Sequence, residues 1–344
     1  MERETRNDGL LEIFPRIPNY TGRVVLFEGE IPIHQDKTNW VFHPEGQRRE
    51  IPVYSVWNYD YHQEIVNQIA QGKAAALYMW GTFGIGMLLD SPMWQEKDEV
   101  ESADLRQHLK IGRPWDQQFV NFMHPDDMVD FWDIDRFHPN FRTLQWASNR
   151  WKLYQSGPVH VVAPTKKKNP YLDISLLKEE DISASYFYMP HPALNRIIEM
   201  LRRDVKHSVF GGGSLNPHGG IPPFTTRELY TQISRILDWQ KHVDLILVDE
   251  IAEFFKIFRS QTQIRIPQKG SEGKIELVRL GATDAARWVH EMGYEITDAP
   301  EGVKEASSVW PYTVESNQIV DGRVRESVDK MRILHQKLKA GVFN

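Results

Sequence analysis

The residues with the clearest chemical content lie in 206–223, KHSVFGGGSLNPHGGIPP. A short apolar run, Ser208 to Phe210, ends in three glycines and then presents Ser214 and Asn216 ahead of Pro217, His218, Gly219 and Gly220. A strand feeding such a turn brings backbone N–H groups close to phosphate or carboxylate oxygens. Glycine serves there because a Cβ would block the approach and because such turns use positive φ. Read alone, the stretch fits a plain solvent loop equally well. Other candidates are scattered along the chain, each with two readings. Lys110 and Arg113, beside Pro114, offer a point charge and a planar fork for an anion, or are surface charges. His191, between two prolines, is a helix cap, a packed histidine or a substrate contact. Arg279, ahead of Gly281, is a structural ion pair or a nucleotide contact. Asp249 and Glu250 end a strand as metal ligands or as a solvated terminus.

Several chemistries are excluded. The chain has no cysteine, so disulfides, thiolate metal sites and a cysteine nucleophile are absent. No G-x-x-x-x-G-K-[ST] loop occurs. Gly81 to Gly86 match G-x-G-x-x-G poorly and lack an acidic residue about 20 positions on. His124 and His138 fit no zinc spacing, and no metal-binding residue is assigned.

The elements that must position these residues read as interleaved strands and helices, an α/β class. Ala74–Trp80 (AAALYMW) is a strand-length apolar run that delivers the small-residue turn Gly81-Thr82-Phe83-Gly84-Ile85-Gly86, a place where α/β proteins seat ligands. Residues 60–71 form an amphipathic helix closed by Gly72. Further strands are expected over 119–123, 158–163, 243–248, 262–266 and 275–280. After Pro190-His191-Pro192, Leu194, Ile197, Ile198 and Leu201 keep the 3.6-residue period of a helix. Thr225 with Glu228 spells a capping box, and Phe224 with Leu229 a hydrophobic staple. Ala285–Met292 forms a helix ended by Gly293, and 322–340 a charged helix. Pro15, Pro18, Pro32 and Pro44 punctuate an irregular lead-in.

With 344 residues, 41% hydrophobic and 26% charged, the chain has ample material for a buried core. Its net charge of −6 argues against bulk nucleic-acid binding. The run Lys166-Lys167-Lys168 is a solvated loop or, with Arg202, Arg203 and Lys206, a phosphate-holding cluster. No signal peptide or membrane-length apolar run is visible, which makes the cytoplasm the default setting.

The order of these signals resembles the YrdC-like family, the threonylcarbamoyl-AMP synthases of tRNA modification and their relatives. LYMWGTFGIG (77–86) stands in the place of that family's first strand and turn. Lys110 to Pro114 is similar to its Lys-x-Arg-Pro, with one extra residue. Ser156 to Pro164 (SGPVHVVAP) resembles PGPxTxVxP, and Pro190-His191-Pro192 its Pro-x-His-Pro. Ser214 to Gly219 resembles Ser-Ala-Asn-x-Ser-Gly. VDLILVDE (243–250), Ser260-Gln261-Thr262 and Val278 to Ala282 resemble the closing series with Ser-Thr-Val and Arg-Pro-Gly. The resemblance covers roughly 60–285 and implies a twisted mixed sheet flanked by helices around a central concave cleft. The expected organisation is an irregular N-terminal extension (1–55), the YrdC-like domain (56–295) and a C-terminal extension with a terminal helix (296–344).

The chemistry it implies is formation of a carbamoyl-adenylate from ATP, bicarbonate and threonine or another amine, with Mg²⁺ on the phosphates and pyrophosphate released. Lys110, Arg113 and Ser214 would be catalytic. Together with Asn216, Ser260, Thr262 and Arg279 they would bind the nucleotide, while Thr82 and His191 would touch the amine substrate. The chain departs from the family pattern at Met79-Trp80-Gly81-Thr82 in the first turn. It departs again at Tyr186-Phe187-Tyr188, where the family has an arginine. These departures favour a competing expectation, a non-catalytic module on the same fold that binds a nucleotide or RNA.

Overall fold

The computed structural model describes residues 38–79, 82–89, 119–143, 159–166, 183–188, 191–205, 210–216, 222–249, 261–281, 285–300 and 302–305. Strands β1 (Thr38–Phe42) and β2 (Arg49–Ser55) precede helix α1 (His62–Ala70). Strands β3 (Ala75–Tyr78), β4 (Phe83–Leu88) and β5 (Val120–Phe122) come next, then helix α2 (Pro125–Phe131). Strands β6 (Val159–Pro164) and β7 (Ser183–Tyr188) lead to helix α3 (Pro192–Met200) and strand β8 (Phe210–Ser214). Helices α4 (Thr226–Arg235) and α5 (Leu237–His242) precede strands β9 (Leu245–Val248), β10 (Thr262–Arg265) and β11 (Ile275–Leu280). Helix α6 (Ala285–Glu291) and strands β12 (Ile296–Asp298) and β13 (Lys304–Glu305) close the described chain.

Among the described residues all the strands form one mixed sheet in the order β1-β2-β9-β3-β4-β8-β5-β7-β6-β10-β11-β12, with β13 also on β11. Every residue of β3, β4, β6 and β9 is buried, so the centre of the sheet is covered on both faces. This explains the unbroken apolar runs AALY, VHVVAP and LILV, because a strand wet on one side would alternate.

Local signals hold where the cause is local. Helix α1 buries Ile65, Val66 and Ile69, and Gly72 beyond it sits at φ 80°, which a side chain disfavours. Thr225 accepts the Glu228 N–H while the Glu228 carboxylate takes the N–H groups of Phe224 and Thr225, completing the capping box.

Two expectations fail. Residues 38–55 are not an irregular lead-in: β1 pairs antiparallel with β2, and β2 pairs parallel with β9 in the main sheet. Residues 296–298 likewise join the sheet through β11. More important for the site, the glycine stretches are strands rather than turns. Gly84 and Gly86 lie inside β4 and Gly211–Gly213 inside β8, paired antiparallel as Ile85↔Gly213 and Gly86↔Gly212. None of these five has positive φ. Their reason is crowding. A Cβ on Gly212 would stand 2.4 Å from the Ile85 carbonyl oxygen, and one on Gly86 would stand 2.3 Å from the Phe210 ring. The helix expected at 322–340 lies outside the described residues.

Candidate functional site

The sheet is strongly curled, and one hydrogen bond measures the curl. Gln261, just ahead of β10, donates from Nε2 to the carbonyl of Met79, just beyond β3, at 2.5 Å. Strands β3 and β10 are six places apart in the sheet. Strands spaced about 4.8 Å apart would put them roughly 29 Å apart in a flat sheet. The twist therefore brings the start of β10 over to the first turn, and a concave face lies between them.

Around this closure the predicted residues fall into two groups. On one side, Thr82 is buried and its carbonyl accepts the Met79 N–H at 2.8 Å. The following strand is held by Leu215 N–H to Phe83 O at 2.9 Å and by Phe83 N–H to Pro223 O at 2.8 Å. These bonds fix Ser214, half-buried opposite Gly84, and the buried Asn216 beside the first turn. On the other side stand Thr262 and Arg279. The Thr262 hydroxyl accepts the Gly281 N–H at 3.0 Å and so pins the start of β10 to the end of β11. Arg279 is half-buried, and its Nε donates to the Gln261 carbonyl at 3.1 Å. A register slip between Gln263 and Ile264 leaves Val278 as the extra residue of β11, a bulge of the kind that re-aims a neighbouring side chain.

Arg279 carries the electrostatics of the group. Burial lowers its pKa, and no carboxylate among the described residues pairs with it. A largely desolvated guanidinium without a counter-charge costs free energy unless an anion completes it.

Sequence reasoning missed His160 and Gln261. His160 in β6 is buried, its ring 4.8 Å from that of Phe187. Its ring hydrogen-bonds the Gln261 side chain, and burial, with Arg279 nearby, holds it well below the ordinary histidine range. A histidine inside an otherwise apolar strand was the available signal.

From His160 an aromatic row crosses four strands. His160 pairs with Phe187, Phe187 with Phe122, and Phe122 with Phe210. The Phe122–Phe187 and Phe122–Phe210 rings meet edge-on at 5.1 and 5.9 Å. The glycines of β4 and β8 leave room for these rings. Met79 covers Gly84 in the same way, since a Cβ on Gly84 would fall 1.9 Å from the Met79 methyl carbon.

His191 stands elsewhere, at the start of α3, with no exposed surface. Its Nε2 meets the Asp249 carboxylate at 2.7 Å and its Nδ1 accepts the Leu194 N–H at 3.1 Å. The other Asp249 oxygen accepts the Trp57 indole N–H at 2.7 Å, so Asp249 is a buried junction rather than a solvated strand end. Lys110, Arg113, Ser260, His218 and Glu250 lie outside the described residues.

The arginines of the basic cluster are ion-paired. Arg202 pairs with Asp127 and Glu199, and Arg203 with Asp204. Lys166 donates to the Asp130 carbonyl at 2.8 Å. An open polar depression of about 600 Å³, lined by residues including Asn39, Arg49, Glu64, Gln68 and Asp244, has its Arg49–Asp244 pair already closed at 2.8 Å. No three His, Asp or Glu side chains gather as a metal site among the described residues. No helix among them is long and apolar enough to cross a membrane.

No family model and no curated protein matches the chain. Solved structures do. A variant of Sua5 from P. abyssi is 16% identical at a TM-score of 0.51, over 71% of this chain and 65% of that one. P. abyssi Sua5 complexed with L-threonine is 17% identical at 0.47, over 73% and 64%. E. coli YciO is 12% identical at 0.47, over 67% and 93%. The chain thus spans just under two thirds of the Sua5 length. Its fold is the mixed, twisted, helix-flanked sheet of the YrdC-like proteins.

Proposed function

We propose that this protein, built on the YrdC-like fold, uses ATP to make a carbamoyl-adenylate from bicarbonate and threonine or another amine. The neutral amine adds to bicarbonate with loss of water. The resulting carbamate oxygen then attacks the α-phosphorus of ATP, and pyrophosphate leaves. The observation that carries this reading is Arg279, a half-buried guanidinium with no carboxylate partner among the described residues, set where the closed sheet faces the first turn. A half-buried cation with N–H donors beyond the one spent on the Gln261 carbonyl suits a phosphate or carboxylate, and it gains most where negative charge accumulates.

The remaining residues divide the labour by position. Ser214 and Asn216 form a polar wall beside the first turn, and Thr82 backs it. Lys110, Arg113 and Ser260 complete the charge complement in this reading. The described residues supply no cluster of carboxylates for Mg²⁺, so such an ion would be held through the phosphates, and no step is assigned to it. No covalent nucleophile is required, since positioning and fixed charge lower the barrier.

A second reading has its own support. The aromatic row His160–Phe187–Phe122–Phe210 and the Met79 cover occupy the glycine-lined part of the inner face. That favours a non-catalytic module that retains a nucleotide. The ion-paired Arg202 and Arg203 weigh against RNA as its ligand. Pyrophosphate release with ATP, bicarbonate and a panel of amino acids separates the two. Turnover with one amine, lost in Arg279→Ala, supports the enzyme. An ATP-dependent thermal shift without pyrophosphate supports the module, and neither response defeats both.

A further inference from the structure

Gln261 ties together three parts of the candidate site, although the motif Ser260-Gln261-Thr262 pointed only to its two neighbours as site residues. Its Nε2 donates to Met79 O at 2.5 Å, which leaves Oε1 as the acceptor for the His160 ring. Its own carbonyl accepts from Arg279 Nε at 3.1 Å. The side chain is buried, only 5% exposed. One residue thus joins the first turn, β6 and β11. His160 and Gln261 also stand where the resembling motifs PGPxTxVxP and Ser-Thr-Val carry threonine. Two larger polar residues, about a hundred positions apart in the chain, have replaced two small ones and bond to each other.

We propose that Gln261 is the positioning residue of this site, holding Arg279 and His160 against the first turn so that a polyanion on Arg279 meets the Ser214–Asn216 wall. The inference rests on the reading of Arg279 as an anion contact. Its physical content is preorganisation. Arg279 uses one of its donors to fix its plane on the Gln261 carbonyl, and keeps the other edge for the ligand. The carbonyl can serve only while the Gln261 side chain ties its own backbone to Met79. A buried amide that loses both partners leaves Met79 O and the His160 ring unsatisfied and lets the closure loosen. His160 touches the site through Gln261 and Phe187, so it acts as part of the wall.

The test is ATP affinity of the full chain by titration calorimetry, for the wild type, Gln261→Leu, Arg279→Ala and the double variant. Gln261→Leu keeps the volume and removes the amide. We expect about a tenfold loss of affinity in Gln261→Leu, with the circular dichroism spectrum unchanged. A residue that acts through Arg279 gives a non-additive cycle, so the double variant should bind no more weakly than Arg279→Ala alone. Wild-type affinity in Gln261→Leu, or losses that add in full, overturns the proposal. If Gln261→Leu does not fold, Gln261→Asn keeps the amide but falls one methylene short of Met79, and the same outcomes apply. Unchanged binding in Arg279→Ala, or no ATP binding by the wild type, instead defeats the anion reading on which the proposal stands.

Discussion

His62 makes the stability of this fold sensitive to acid, and the size of the effect can be worked out. It is completely buried in α1, its Nε2 bonded to the Val56 carbonyl at 2.8 Å, which makes Nε2 the protonated nitrogen. Nδ1 is buried with no partner, so a second proton would sit on an unsatisfied N–H in an apolar site. Burial is the largest cause lowering its pKa, from 6.5 to about 4, and the Arg196 and His191 charges push the same way. The unfolded chain therefore takes up this proton near pH 6.5 and the folded one only near pH 4. Stability is full above pH 6.5 and is lost as pH falls through that window. At 1.36 kcal/mol per unit, the loss is roughly 3 kcal/mol. His62→Gln keeps a donor toward Val56 and removes the titration. Denaturant midpoints at pH 7.5, 5.5 and 4.5 should show the variant losing about 2.5 kcal/mol less than the wild type over this range, most of the full effect. Parallel curves for the two proteins would refute the reasoning, whatever their offset at pH 7.5.

Three further outcomes are expected. Gly212→Ala forces a methyl onto the Ile85 carbonyl, a backbone atom that cannot swing aside, and should cost about 2 kcal/mol in unfolding free energy. Asp249→Asn leaves one donor of the Trp57–Asp249–His191 junction poorly matched, and should lower stability by about 2 kcal/mol while quenching or shifting the Trp57 fluorescence. Thr225→Ala removes the side-chain acceptor of the α4 cap and should cost about 1 kcal/mol, with Thr225→Ser restoring it.

How much of this was legible depends on how far each cause lies along the chain. The α4 cap is written within four residues, and the structure reproduces it atom for atom. The apolar runs at 75–78 and 245–248 announce buried strands because two covered faces leave no polar alternation. The glycines of β4 and β8 misled because their reason is a neighbouring strand more than a hundred residues away, whereas a turn would have been a local reason. Ser214 and Asn216 were legible as polar groups beside a glycine stretch, and Thr82 as part of a first turn. Their relation to Arg279 was not, since it arises from the accumulated twist of six strand pairings. Gln261 was legible only as the middle residue of Ser260-Gln261-Thr262, and its importance exists only after closure.

That closure also sets when the site comes into being. The Gln261–Met79 contact joins residues 182 apart, and the strands between their ends of the sheet include β8 and β7, drawn from the middle of the chain. Contacts of such long sequence separation form late, after the loops they close have lost their entropy. A partly folded chain can own the α1 and α4 helices and much of the sheet while having no anion site. A ligand that needs Arg279 opposite Ser214 then recognises only the finished molecule. Its binding reports the last step of folding and stabilises that state alone.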